Sequence, residues 1–144
     1  MRRFFALFAV FVLILSTATI SVSATDFSED IIDLGDGFYM VETVSSYSLC
    51  RSGDKVYGNK SGNVYQGSTL VGVATLYASF DISGTTAKAI YAQIDGTGYN
   101  GGSYTGGSSN YSRNTASGTA YFSYNGIDKT VRLSISCSPD GTLS

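Results

Sequence analysis

Tyr99, Asn100, Tyr104 and Tyr111 stand in the stretch DGTGYNGGSYTGGSSNY, from Asp95 to Tyr111, which holds six glycines and three tyrosines and no aliphatic side chain. Flat amphipathic rings on a pliable backbone, mixed with amide and hydroxyl groups, are the chemistry that recognition loops use on sugar or protein surfaces. Three arrangements are open for this stretch. It is a recognition loop carried on a rigid sheet, an irregular edge strand in which glycines mark bulges, or slack between strands. Structureless loops longer than about 12–15 residues are uncommon in compact domains, so part of it is expected to be strand.

Other chemistry is narrowed by what the chain lacks. It contains no histidine, which excludes Ser-His and Cys-His nucleophile pairs and His-ligated zinc. No G-x-x-x-x-G-K-[ST] stretch is present, and no helix pattern follows any glycine cluster to form a phosphate cradle. A carboxylate pair for glycoside cleavage stays formally open among the eleven acidic residues. No spacing ranks one pair above another. Asp26, Glu29, Asp30, Asp33 and Asp36 crowd one segment but lack the D-x-D-x-D-G spacing of a calcium loop, and they read as a solvated arm. The chain is therefore read as non-enzymatic, with no cofactor and no metal. Asn59-Lys60-Ser61 and Asn110-Tyr111-Ser112 match a glycosylation pattern by chance.

The start of the chain is an address. Arg2 and Arg3 precede twelve unbroken apolar residues, Phe4 to Leu15, and Val22-Ser23-Ala24 supplies the small residues of a signal-peptidase site. The apolar run is shorter than the roughly 20 residues a membrane span needs. Sec-type export with cleavage after Ala24 is expected, leaving one secreted domain, residues 25–144, with no membrane anchor. Removing two of nine cationic residues and none of eleven acidic ones leaves a net charge of 7 − 11 = −4. Nucleic acid and anionic lipid, which reward clustered Lys and Arg, are poor partners for such a chain. The two cysteines, Cys50 and Cys137, are read as one disulfide in an oxidising exterior, against the alternative of two separate buried thiols. Closing that loop is worth about 4 kcal/mol in the chain-entropy model.

These groups must be positioned by strands, since alternating apolar and polar residues recur between turn signals throughout the exported part. Ile31–Leu34 and Phe38–Val44 form a hairpin about Gly35-Asp36-Gly37. SSYSLCR reads as a further strand, and KVYGNK as another that ends at a Ser61-Gly62-Asn63 turn before a short VYQG. STLVGVATLYASFDI is the longest candidate, with Leu70, Ala74, Leu76, Ala78, Phe80 and Ile82 on one face and Val71, Val73, Thr75 and Tyr77 on the other. A strand apolar on both faces is central in its sheet or covered twice. Ile90, Ala92 and Ile94 share a face of the next strand. Asn125-Gly126 is a two-residue type I′ hairpin signal. It sets Tyr124 opposite Ile127 and Ala120 opposite Val131, and places Phe122, Val131, Leu133, Ile135 and Cys137 in one inward row. Seven or eight such strands predict an all-β antiparallel sandwich or flattened barrel. Most of the eleven tyrosines then line its outer rows.

Three segments, Asp33-Leu34-Gly35-Asp36-Gly37-Phe38-Tyr39, Asn114-Thr115-Ala116-Ser117-Gly118-Thr119-Ala120 and Cys137-Ser138-Pro139-Asp140-Gly141-Thr142-Leu143-Ser144, resemble parts of a family of small secreted β-rich proteins from Gram-positive (Firmicutes) gut bacteria. The resemblance covers most of the chain. It implies a bacterial, exported, β-rich protein, and it implies no activity. The functional expectation is a secreted sandwich that binds a glycan or protein surface. Its alternatives are a self-assembling extracellular component or a small carboxylate-dependent hydrolase.

Overall fold

The computed structural model describes residues 30–47 and 54–144. The expected leader and cleavage site, Asp26, Glu29 and Cys50 lie outside the described residues. Eight strands follow one another as β1 (Asp30–Gly35), β2 (Phe38–Tyr47), β3 (Lys55–Gln66), β4 (Thr69–Asp81), β5 (Lys88–Gly98), β6 (Ser103–Ser112), β7 (Thr115–Tyr124) and β8 (Ile127–Ser136). Every pairing is antiparallel between sequence neighbours, giving a five-stranded sheet β1-β2-β3-β4-β5 and a three-stranded sheet β6-β7-β8. No helix occurs among the described residues. The fold is the expected all-β sandwich.

The interior is made by every second residue of both sheets. Phe38, Met40, Val56, Val64, Ala74, Leu76, Ala78 and Phe80 of the larger sheet meet Ala116, Ala120, Phe122, Val131, Leu133 and Ile135 of the smaller. The C-terminal hairpin has the register its Asn-Gly turn dictates, with Tyr124 opposite Ile127 and Ala120 opposite Val131. Cys137 is fully buried at the end of that row. Its Sγ lies 3.4 Å from the Ser138 carbonyl, and burial first, then the nearby Asp140 charge, pushes the thiol pKa up. A Cys137 ring closure with Cys50 falls on a residue outside the described ones.

The sheets are joined along two seams. On one side β5 runs through the turn Tyr99–Gly102 into β6, and β6 lies back along β5. Ser109 Oγ donates to the Ala92 carbonyl at 3.0 Å and the Ala89 amide donates to the Arg113 carbonyl at 2.7 Å. On the other side Lys129 of β8 reaches the β1–β2 turn. Its ammonium donates to the Leu34 carbonyl at 3.0 Å and to Asp36 at 2.7 Å, and stands 5.0 Å from the Phe38 ring centroid. One cation thus satisfies an orphan carbonyl, a carboxylate and an aromatic face at once.

The fold departs from expectation in β3. Residues 55–66 form one unbroken twelve-residue strand, so Ser61-Gly62-Asn63 is no turn. Gly62 faces inward beneath Met40 and Leu133. A Cβ there would overlap the Met40 sulfur, lie 3.0 Å from Met40 Cγ and 3.3 Å from Leu133 Cδ2. The glycine is demanded by close packing, the second of the two reasons a strand carries one. SSYSLCR is likewise no separate strand as far as it is described, because β2 runs on without a break to Tyr47. Two bulges shift face assignments. One at Val64/Tyr65 turns Val71 inward, where it is 1% exposed, and leaves Leu70 half-buried. The other, at Ser79/Phe80, buries Ala89 and moves Ile90 off the inward row of Ala92 and Ile94. β4, by contrast, is interior to its sheet, one of the two placements its sequence left open: β3 and β5 flank it, and its outer Tyr77 is open to solvent.

Gly62→Ala should lower stability by about 1–3 kcal/mol through overpacking. Combined with Met40→Ala, the loss should be smaller than the sum of the two single losses. Urea unfolding of the four proteins measures the cycle, and strict additivity would contradict the packing described.

Candidate functional site

The outer face of the five-stranded sheet is built from the residues that the core rejects. Pairing sets Tyr57 opposite Ser79, and Ser79 opposite Tyr91; one step along, Asn59 faces Tyr77, and Tyr77 faces Gln93. Two rows result, Tyr57–Ser79–Tyr91 and Asn59–Tyr77–Gln93, in which ring and small polar group alternate in both directions. Tyr57, Tyr77 and Tyr91 are 43%, 46% and 45% exposed, whereas Ser79 between them is nearly buried. Residues 57 and 91 are two inter-strand spacings apart, roughly 9.5 Å. Two tyrosines thus stand at that backbone spacing on either side of a serine. The groove has a volume of about 430 Å³, with Gly58, Ala78 and Ile90 completing its walls. Ile90 joins it because of the bulge in β5.

Polar groups frame the rings. The Tyr91 hydroxyl donates to Gln93 Oε1, which fixes both side chains at one rim. Farther along, Ser61 faces Thr75 across β3 and β4 with their hydroxyls 3.0 Å apart, and Thr75 faces Asp95. At the far end Tyr39 and Tyr65, partners across β2 and β3, stack with centroids 5.2 Å apart. Tyr57 and Tyr65 are eight residues apart on one strand, roughly 26 Å. The face is therefore a long track, aromatic at both ends and hydroxyl- and amide-rich between.

A charged row borders the groove. Lys55 and Lys88 stand opposite Asp81 on either side, next to the Tyr57–Ser79–Tyr91 row. The Asp81 carboxylate accepts from the Ser83 amide at 2.9 Å, and this bond, the Ser83 hydroxyl and then the two lysine charges hold its pKa below the usual carboxylate value. At neutral pH it is ionised and can accept but not donate a proton. Glu42, midway along β2, faces the interior instead and is paired with Lys60 at 2.7 Å. Among the described residues no three His, Cys, Asp or Glu side chains gather into a metal-holding group. Asp36 is engaged by Lys129 and Asp33 caps the Gly35 amide at 2.8 Å.

The stretch from Asp95 to Tyr111 is strand, turn and strand: the end of β5, the turn at Tyr99–Gly102, and most of β6. Its four singled-out residues are spread along it. Tyr99 is exposed in the turn, and Asn100, in left-handed backbone, donates its side-chain amide to the Leu70 carbonyl at 2.8 Å. Tyr104 turns inward onto Phe122, centroids 5.6 Å apart, over Gly96; burial and then the Asp95 charge raise its pKa. Tyr111 is 52% exposed near the opposite end of β6. Seven residues of strand, roughly 23 Å, separate it from Tyr104. Tyr57, Tyr77 and Tyr91, which the structure does gather, went unselected in the sequence. Their signal was present as three tyrosines at polar positions of alternating strands, and only the pairing register unites them.

No protein-family model, no curated protein sequence and no solved structure matches the chain.

The Asp81 shift sets a pH dependence. A carboxyl whose folded pKa is depressed stabilises the fold above its unfolded value, near 3.9, and that contribution is lost as pH falls through the folded value. Wild type should therefore exceed Asp81→Asn in urea midpoint at pH 6, with the gap closing as pH falls below about 4. A gap that persists to the acid limit would contradict the assignment.

Proposed function

We propose that this is a secreted, non-enzymatic glycan-binding protein, with a linear oligosaccharide lying along the outer face of the five-stranded sheet. One observation carries the reading: Tyr57 and Tyr91 stand astride Ser79, with Tyr77 one step along, as exposed rings lining one groove. A sugar offers an apolar face to such rings and equatorial hydroxyls to the amides and hydroxyls at their edges. Asn59, Gln93, Ser61 and Thr75 provide those edges. Pre-formed, strand-borne rings lose little freedom on binding, which is where a rigid sheet outperforms a loop. The leader sequence supports placement outside the cell, where glycans are met. An ionised Asp81 and a lysine-paired Glu42 support binding over acid catalysis, which needs a carboxyl that keeps its proton. The resemblance to secreted Firmicutes proteins agrees with this setting.

Self-assembly is the second reading, favoured by one feature. β1 is an edge strand of the larger sheet and exposes Ile31 and Ile32 along it, at 73% and 38%. Asp30 and Asp33 on the same strand oppose edge pairing through their charge.

The binding test uses soluble linear polysaccharides in affinity electrophoresis and a glycan array. Each of Tyr57→Ala, Tyr77→Ala and Tyr91→Ala should cost about 1–2 kcal/mol, a fall of roughly 5–30-fold, and the triple variant should not bind. A variant with Tyr99, Tyr104 and Tyr111 all replaced by alanine serves as the comparison. Full binding by the Tyr57, Tyr77 and Tyr91 triple variant would remove the sheet face from consideration. Sedimentation of the purified domain tests the second reading: a monomer at high concentration counts against assembly through β1.

A further inference from the structure

Four non-glycine residues adopt left-handed backbone among those described: Asp36, Asn100, Asn125 and Arg113, with φ of 54°, 49°, 51° and 53°. Three are Asp or Asn, whose short polar side chains tolerate that conformation. Arg113 is the exception. It opens the two-residue β6–β7 connection, where the neighbouring Asn114 would meet the backbone requirement at less cost. A bulky residue held in this region stores strain, and such strain gathers where a side chain is needed in one place.

Beside Arg113 lies a cavity of about 500 Å³, the size of a small-molecule site. Ala87, Cys137 and Pro139 give it apolar walls, and Lys88 and Arg113 are the cationic residues among those that line it. The surroundings hold it in shape. The Arg113 carbonyl accepts from Ala89, the Asn114 carbonyl accepts from the Cys137 amide at 2.9 Å, and the Asn114 side chain donates to the Cys137 carbonyl at 3.0 Å. Carboxylates near it are already engaged. Asp81 faces Lys88 across the β4–β5 pairing and feels its charge, and it also accepts from the Ser83 amide. Asp140 is held by the Ser138 hydroxyl and by the Thr142 amide at 3.0 Å, which keeps it ionised. No ion pair within 4 Å claims Lys88 or Arg113 among the described residues.

We propose that this cavity is a second binding site, separate from the tyrosine face, for a small carboxylate carried on an apolar body. The guanidinium of Arg113 matches a planar carboxylate in two parallel hydrogen bonds, while Lys88 contributes charge at the rim. The apolar walls receive the rest of the ligand and disfavour a strongly hydrated inorganic anion. The strained backbone at Arg113 is the stability given up to keep that side chain at the mouth.

Titration calorimetry with octanoate, octanol and inorganic phosphate tests this on the purified exported domain. Octanoate should bind saturably, with octanol and phosphate at least about tenfold weaker, a difference of about 1.4 kcal/mol. Arg113→Gln keeps the strain and loses the charge, so it should lose at least about tenfold in octanoate affinity with an unchanged Tm. Arg113→Gly should lose the same affinity while gaining roughly 3–6 °C in Tm, as the left-handed penalty is relieved. Equal binding of octanol, binding that survives Arg113→Gln, or an Arg113→Gly protein no more stable than wild type would overturn the proposal. So would octanoate binding abolished by the Tyr57, Tyr77 and Tyr91 triple variant, which would place the ligand on the sheet face. The polysaccharide result is independent of all these outcomes, so either site can fail without the other.

Discussion

Close approach of two unequal sheets is the constraint from which the rest follows. Five strands face three, and the smaller sheet fills the interior only because small residues recess the larger one where big side chains arrive. Phe122 seats against Gly72, where a Cβ would lie 2.5 Å from the ring, and Gly118 makes the reciprocal recess for Ile94 and Leu76. Such interlocking makes every large inward residue answer to a small one opposite, as native-density packing requires. It also leaves no room inside for the tyrosines of β3 and β4, whose hydroxyls need water or a polar partner. The aromatic outer face is thus a product of the core, since alternation sends outward what the interior cannot take.

That division gives the molecule two surfaces of different character. The outer face of the larger sheet is periodic, with rings and small polar groups at strand spacing. Periodicity of this kind suits a periodic ligand, and a linear glycan repeats. The end of the sandwich near the β6–β7 turn is different. It is a cavity with apolar walls, lined also by Lys88 and Arg113, and is the proposed place for one compact acid. Each follows from local chain behaviour: unbroken strands in the first case, a strained turn in the second.

Much of the architecture was legible from pattern alone. The Asn125-Gly126 turn fixed the last hairpin to the residue, because a two-residue loop leaves one register and the inward row Phe122, Val131, Leu133, Ile135 and Cys137 admits one face. The site was not legible, for a specific reason. Ser61-Gly62-Asn63 has the composition of a turn, and a chain that turns there never carries Tyr57 alongside Ser79. What distinguishes the real strand is the shape of Met40 and Leu133 above Gly62, a tertiary fact absent from local sequence. The bulge that moves Ile90 into the groove is equally silent, since AKAIYAQI alternates cleanly on paper. Conversely, the stretch from Asp95 to Tyr111 drew the eye by composition. Its tyrosines serve a turn, the core and a strand end in succession.

The sheet-face account is tested most directly by amide chemical-shift mapping of the domain, residues 25–144, during titration with a soluble linear polysaccharide. The account predicts saturable shifts centred on Tyr57, Ser79, Tyr77, Tyr91 and Gln93, with β7 and β8 silent. Shifts confined to residues 99–111, or spread over the three-stranded sheet with the β3–β5 face unmoved, would contradict it.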